Sequence, residues 1–382
     1  MSYGFSFRPQ LFTYLMTALL VMLLRFFPSL ITKFPFLFFP LGIIWANLHG
    51  AFFIGAIVLL ILSFGAFVES SQSSCKGKIV ISHFIALISF IAGTFINPYG
   101  LKLWSFILHS AGYWRPYLSE WAPFHPLEHC TEHPDFIALV LLSIIALCFS
   151  GRQKSYRWIF IAGIALISAF LMRRNIPLFA IAVTAVIPEH IESIAGVYLR
   201  RFRDSLPPFI TIPLLLACTC LSTWYASGRG KYYSLDIEVP RNQFPVDTVR
   251  FMQAHKIYGN MLVFFDWAHY CIWHFYPESR VFLDGRFCDA YSKQTIHDFF
   301  NFFYCGDKWE NALQNYSTDI VLIHKGNPVY ERMLQRHDWT LVCTDSISAL
   351  FLNNFYHAET IHKLQKYGLP YRIFFTDTVY FP

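Results

Sequence analysis

Arg173 and Arg174 are adjacent in a linker of about four residues between two apolar runs. Two guanidinium groups side by side suit a phosphate, because arginine's planar fork donates two parallel hydrogen bonds to one oxyanion. Plain snorkelling of long cationic side chains to lipid headgroups is the other reading of the pair. Two aspartates raise a second question. Asp266 follows the buried-strand sequence NMLVFF, and Asp284 ends RVFLDG, so both fall at carboxyl ends of neighbouring strands, where α/β domains place ligand groups. The structural alternatives are Asp266 as the N-cap of a helix starting at Trp267, and Asp284 as the ion-pair partner of Arg286.

Further polar groups sit in apolar surroundings and are functional candidates for that reason. They are Asn47 and His49 in WANLHG, the turn Asn97-Pro98-Tyr99-Gly100, and Ser119-Glu120-Trp121. An interfacial Trp with a helix-packing Gly, and a simple NPYG turn, are the bland readings. The stretch HPLEHCTEH carries His125, Glu128, His129, Cys130, Glu132 and His133, all metal-ligand types. Pro126 and Pro134 break it, and no helical or finger spacing emerges. There is no GxGxxG, no P-loop and no Gly-flanked nucleophilic Ser.

Composition defines the elements that must hold these groups. The chain of 382 residues is 55% hydrophobic and 14% charged, with 41 Phe; a soluble domain would carry about 25% charge. Residues 1–226 hold 15 Lys/Arg against 8 Asp/Glu, and residues 227–382 hold 15 against 16. The expected fold is an α-helical polytopic membrane domain over 1–226, with an outer loop at 97–135, followed by a soluble α/β domain over 227–382. About eight spans are expected, from apolar runs at roughly 10–25, 34–48, 51–68, 79–96, 136–149, 158–171, 176–188 and 209–226. In the second region, strand-like runs at 260–265, 280–284, 319–324, 339–343 and 348–352 alternate with helix-like runs near 246–256, 292–304, 327–337 and 356–367.

Loop charge sets the orientation. One set of loops carries Arg25, Lys33, Lys76, Lys78, Arg152, Lys154, Arg157, Arg200, Arg201 and Arg203; the opposite set carries Arg8, Lys102, Arg115, Arg173 and Arg174. The richer set belongs in the cytoplasm. The N-terminus, loop 97–135 and the C-terminal domain are then expected outside; either the first span inserts with its N-terminus out, or the sequence is a fragment of a chain with an odd number of preceding spans. The basic excess lies in membrane loops, which excludes nucleic acid as the partner. Nine cysteines show no CxxC pair, and Cys271, Cys288, Cys305 and Cys343 would be able to pair in an oxidising compartment.

FFDWAHY, a short helix and then RVFLDG resemble the WWDYGY segment and following R-x-x-x-D-G of oligosaccharyltransferase catalytic subunits, which are GT-C fold glycosyltransferases. Phe264-Phe265 stand where that motif has tryptophans, and Ala268-His269 where it has its glycine region. The chain is also similar to bacterial membrane proteins with RPQLF, WANLHG, NPYG, RNIPLF and D-W-G-G-Y…D-G-R landmarks, here Arg8–Phe12, Trp45–Gly50, Asn97–Gly100, Arg174–Phe179, Asp266–Tyr270 and Asp284–Arg286. The resemblance implies a bacterial inner-membrane enzyme with a periplasmic or extracellular C-terminal domain. Its partners would be membrane lipids, a polyprenyl-phosphate sugar carrier and a carbohydrate or protein acceptor. It implies that Arg173 or Arg174 lies near the carrier phosphate, that Glu120 helps hold a divalent Mg or Mn ion, and that Asn47, His49, Asp266, Trp267, Asp284 and Arg286 contact donor or acceptor. A carbohydrate acceptor would suit the aromatic surface around Trp267 and Trp273. The first span would match the sixth of thirteen, so the family's first outer loop, with its catalytic aspartate, has no counterpart here and no catalytic residue is assigned. The rival expectations are a non-catalytic membrane protein with a docking domain and, third, a transporter.

Overall fold

The structure, a computed structural model, describes residues 9–69, 76–111, 117–205, 210, 212–213, 216–221, 239–366, 368–373, 377 and 379. Arg8, Arg115 and half of the apolar run at 209–226 lie outside the described residues. The chain forms two compact units, Met1–Tyr232 and Tyr233–Pro382.

The first unit is helical: α1 (Gln10–Phe26), α2 (Ser29–Lys33), α3 (Phe38–Leu48), α4 (Phe53–Glu69), α5 (Lys76–Thr94), α6 (Leu101–Ala111), α7 (Pro126–His129), α8 (Pro134–Phe149), α9 (Tyr156–Leu171), α10 (Ile176–Thr184) and α11 (Ile187–Ser205). Among the described residues, two stretches are long and apolar enough to cross a membrane, Gly50–Val68 and Gly77–Thr94. A third qualifies only if Arg173–Thr184 and Ile187–Gly196, bent by 55°, count as one span. The apolar runs of α1, α8 and α9 form helices of 17, 16 and 16 residues. At 1.5 Å per residue these reach about 25 Å, short of a hydrocarbon core of about 30 Å. Eight full-length spans are therefore not what the helices display, and the apolar run at 176–188 is broken where α10 ends and the amphipathic α11 begins.

Helices α3 and α5 pack backbone to backbone. A Cβ on Gly42 would strike the Phe90 carbonyl, and one on Gly93 would strike the Phe39 carbonyl. Trp45, Phe52 and Phe90 are wholly buried beside this seam. Helix α1 ties together the two ends of the unit. At its start, Gln10 and Tyr14 bond to Arg174, and Thr13 bonds to His49. At its end, Arg25 Nε donates to the Ala185 carbonyl at 2.9 Å and pairs with Glu189, which Arg152 also reaches at 3.2 Å. The loops split by charge in the sequence thus separate by position: Arg25 and Arg152 at one end, Arg174 at the other.

The second unit is α/β. Its elements are α12 (Val246–Ala254), β1 (Asn260–Val263), α13 (Ala268–Phe275), β2 (Arg280–Val281), α14 (Lys293–Tyr304), α15 (Asn311–Gln314), β3 (Ile320–His324), α16 (Val329–Leu334), β4 (Trp339–Thr344), β5 (Ser348–Asn353), α17 (Ala358–Gln365) and β6 (Tyr371–Arg372). The six strands form one mixed sheet in the order β2-β1-β3-β5-β4-β6. β1 runs parallel to β2 and β3, while β5 is antiparallel to β3 and β4. Burial on both faces explains the near-continuous apolar runs: Ile320, Val321, Leu322 and Ile323 are all inaccessible. Cys271 and Cys343 are buried within this core as free thiols, and Cys305 is a free, half-buried thiol.

Candidate functional site

The polar groups of the helical unit converge on Arg174. Residues 173–175 form a 3₁₀ turn between α9 and α10. Residues in such a turn diverge by about 120°, so adjacent side chains separate. Arg173 points into the unit, 8% exposed; its Nη1 donates to Glu132 Oε2 at 3.2 Å, and its backbone N–H donates to the Ala122 carbonyl. The Arg174 guanidinium lies 4.3 Å from the centroid of the Trp121 ring. Its Nη2 donates to Gln10 Oε1 at 2.9 Å, and Nη1 lies 4.0 Å from Glu120 Oε1. That last separation exceeds the 2.7–2.9 Å of a closed charge-assisted hydrogen bond. The Arg174 carbonyl accepts from the Tyr14 hydroxyl at 2.9 Å. The side chains of Arg174 and Glu120 are 19% and 21% exposed, in reach of solvent yet largely walled.

His49 completes the group. The Trp45 Nε1–H donates to Thr13 Oγ1 at 3.1 Å, and the Thr13 hydroxyl donates to His49 Nδ1 at 2.8 Å. The Ala51 N–H also points at Nδ1, at 3.4 Å. The Ala51 N–H, a fixed donor to Nδ1, sets the neutral tautomer with its proton on Nε2, and Thr13 is then the donor in its contact with Nδ1. One face of α1 thus supplies Gln10, Thr13, Tyr14 and Thr17, at the i, i+3, i+4, i+7 spacing of a helical stripe. Sequence reasoning overlooked this stripe; the 3.6-residue recurrence of polar side chains in an apolar run was the available signal.

Asn47 stands apart. It is exposed, and its Nδ2 donates to the carbonyls of Ile43 and Ile96, both at 2.8 Å, joining two helix ends. In the loop carrying His125, Glu128, His129, Cys130, Glu132 and His133, His133 is buried against Phe124, and His129 Nδ1 accepts from the His125 N–H at 2.9 Å. No three His, Cys, Asp or Glu side chains come together as a metal cage among the described residues.

In the α/β unit the two aspartates differ. Asp284 is fully buried. It accepts from the Arg286 backbone N–H at 2.9 Å, from the Arg286 guanidinium at 2.6–3.1 Å and from the Tyr291 hydroxyl at 2.8 Å. Burial by itself would raise its pKa, but the hydrogen bonds from Arg286 and Tyr291 outweigh burial and hold it down to about 2. Asp284 and Arg286 therefore anchor the loop after β2, in the ion pair that their spacing suggested. Asp266 is exposed and is not an N-cap. The chain first makes a 3₁₀ turn over Phe265–Trp267, and α13 begins at Ala268 with no side-chain cap. The turn carries Asp266 beyond the capping position because Trp267 must turn inward. Trp267 is 1% exposed, and its Nε1–H donates to the Gln243 carbonyl at 2.7 Å. It is a wall rather than an open platform; Trp273, 58% exposed, is the accessible indole.

No family model matches the chain, and no curated protein matches it either.

Proposed function

We propose that the helical unit binds the phosphate of a polyprenyl-linked sugar at the outer face of a bacterial inner membrane, as part of a GT-C-like glycosyltransferase or a derivative of one. The observation that carries this is the oriented Arg174 guanidinium: stacked on Trp121, held by Gln10, and only loosely met by Glu120. A carrier phosphate would be met by a guanidinium whose planar fork is already oriented by Trp121 and Gln10. A cleft of about 150 Å³ in the same unit is lined by Val21, Ile57, Ile61 and Leu178, with Thr17, Ser168 and Asn175 as its polar members. An isoprenoid chain suits the apolar part, and Thr17 belongs to the same α1 stripe as Gln10 and Tyr14.

In the transfer itself, an acceptor oxygen attacks the anomeric carbon, the carrier phosphate departs with the bonding pair of the broken C–O bond, and the acceptor's proton passes to the departing phosphate or to water. Arg174 offsets the charge that develops on that leaving group. Glu120 is the carboxylate that faces the Arg174 guanidinium, and it would be the protein's ligand to a divalent ion. A Mg or Mn ion there would draw the rest of its oxygen shell from phosphate and water, as such ions commonly do. It would add Lewis-acid stabilisation of the leaving phosphate.

Binding of a polyprenyl phosphate to the full chain in nanodiscs tests the assignment. Hydrogen bonds to charged groups contribute about 1.5–3 kcal/mol, so Arg174→Ala should weaken binding at least about tenfold. Arg174→Lys should weaken it less, since charge stays and the fork is lost. Equal binding by wild type and Arg174→Ala removes the phosphate site.

A further inference from the structure

The α/β unit holds a second pocket, and we propose that it binds a neutral saccharide. This rests on the geometry of that unit alone and not on the Arg174 cluster. The pocket, about 460 Å³, opens between the loop that follows β1 and the loop that follows β3. Those strands are adjacent and parallel. From β1 the chain leaves through α13 toward β2, on one side; from β3 it leaves through α16 toward β4, on the other. Connections that diverge from neighbouring parallel strands open a crevice at their carboxyl ends, the place where open α/β sheets take their ligands. The volume lies within the range of small-molecule sites.

The lining defines the ligand's chemistry. Phe264 is half-buried and presents an aromatic wall, backed by Trp267, whose bond to the Gln243 carbonyl holds that segment at the rim. His324, the last residue of β3, packs against both rings, with centroids 6.0 Å from Phe264 and 5.7 Å from Trp267. Its Nδ1 accepts from the Gly326 N–H at 2.9 Å, so the neutral ring carries its proton as an Nε2–H donor. Asp266 adds a carboxylate acceptor. Asn327 adds an amide whose Oδ1 is shielded from solvent and has no hydrogen-bond partner among the described residues. A ligand hydroxyl would satisfy that buried acceptor.

Among the described residues no Lys or Arg lines the pocket. The nearest cation in sequence, Lys325, donates its Nζ to the Asp345 carbonyl at 2.5 Å. A phosphate, nucleotide or sulfated ligand would bring a second negative charge up to the Asp266 carboxylate. Acceptors, amide and imidazole N–H donors and an aromatic wall match instead a pyranose ring, with hydroxyls at its edge and C–H bonds on its face.

The test uses the full chain in nanodiscs and saturation-transfer NMR with methyl glycosides of glucose, galactose, mannose and N-acetylglucosamine, alongside inorganic phosphate. At least one glycoside should receive saturation from the wild type. Asp266→Ala should weaken its affinity fivefold or more. So should His324→Phe, which keeps the ring packing and removes the N–H donor. Arg174→Ala should leave it unchanged, and Asp266→Ala should leave polyprenyl-phosphate binding unchanged. The site is overturned if no glycoside binds, if both pocket variants that melt like the wild type bind as it does, or if phosphate displaces the glycoside. It is likewise overturned if Arg174→Ala abolishes glycoside binding, because the signal would then come from the helical unit.

Discussion

The guanidinium of Arg174 lies over the indole of Trp121, 4.3 Å from the ring centroid, while its neighbour Arg173 turns inward to Glu132. Two consecutive cations of one type thus have separate tasks. Arg174 is the accessible donor, and Arg173 is a strut beneath the loop that carries Glu120 and Trp121.

The stack makes Trp121 a positioning residue. Cation–π attraction contributes about 0.5–2 kcal/mol, so Trp121→Leu should weaken polyprenyl-phosphate binding about 2- to 30-fold. Trp121→Phe should recover part of that loss. Wild-type affinity in Trp121→Leu would mean that Gln10 alone orients the guanidinium.

Arg173 should matter for stability more than for binding. Its partner Glu132 is half exposed, with 52% side-chain exposure, so the ion pair contributes about 1 kcal/mol at most and Glu132→Gln should melt close to wild type. The buried stem of Arg173 packs as well, and Arg173→Ala should cost about 2 kcal/mol. A stable Arg173→Ala that loses lipid-phosphate binding as completely as Arg174→Ala would reverse the two roles.

The seam between α3 and α5 leaves no space for a side chain at Gly42 or Gly93. Gly42→Ala and Gly93→Ala should each cost about 1–3 kcal/mol, because backbone rather than a flexible side chain must give way. Gly163→Ala, where a Cβ meets nothing within 4 Å, should be silent. Thermal unfolding in detergent measures all three, and an unperturbed Gly42→Ala would refute the close approach.

Asp284 predicts an acid limb. Its pKa is depressed when folded, so the stability it confers is full above the ordinary carboxylate pKa near 4 and is lost as pH falls toward about 2. Discounted for solvent around Arg286, whose side chain is 67% exposed, the contribution is about 2 kcal/mol at most. Melting temperature between pH 6 and pH 2.5 should fall more steeply in wild type than in Asp284→Asn. Parallel curves would show that another carboxylate dominates.

Orientation is open to a direct test. With Arg25 and Arg152 at the cytoplasmic end, residues 227–382 should follow on the outer side. Alkaline phosphatase fused after Pro382 should be active and a cytoplasmic reporter silent; the reverse outcome would invert the proposed outer site.

Much of the α/β unit was legible in the residues themselves. The runs at 319–324 and 348–352 are apolar because both faces of β3 and β5 are buried, and the structure places these strands within a residue of those bounds. β6 left no trace, since a two-residue strand carries no periodicity, and the insertion of β5 between β3 and β4 depends on pairing that local sequence does not encode. In the helical unit, apolar length reveals that a segment seeks a nonpolar setting but not whether it crosses as one rod. The 55° bend between α10 and α11 is settled by packing, with Arg25 bonded to the Ala185 carbonyl at the break. Sequence by itself singled out Arg174, Glu120 and His49 as polar groups in apolar surroundings. Only the tertiary structure could bring them to the Gln10–Thr17 stripe of α1 and set Asn47 apart, because a helix face becomes a wall only once its neighbours are in place. Asp266 and Asp284 make the same point from identical chemistry. One stays at a pocket rim and the other becomes a buried anchor, because Tyr291 and Arg286 close around Asp284 alone.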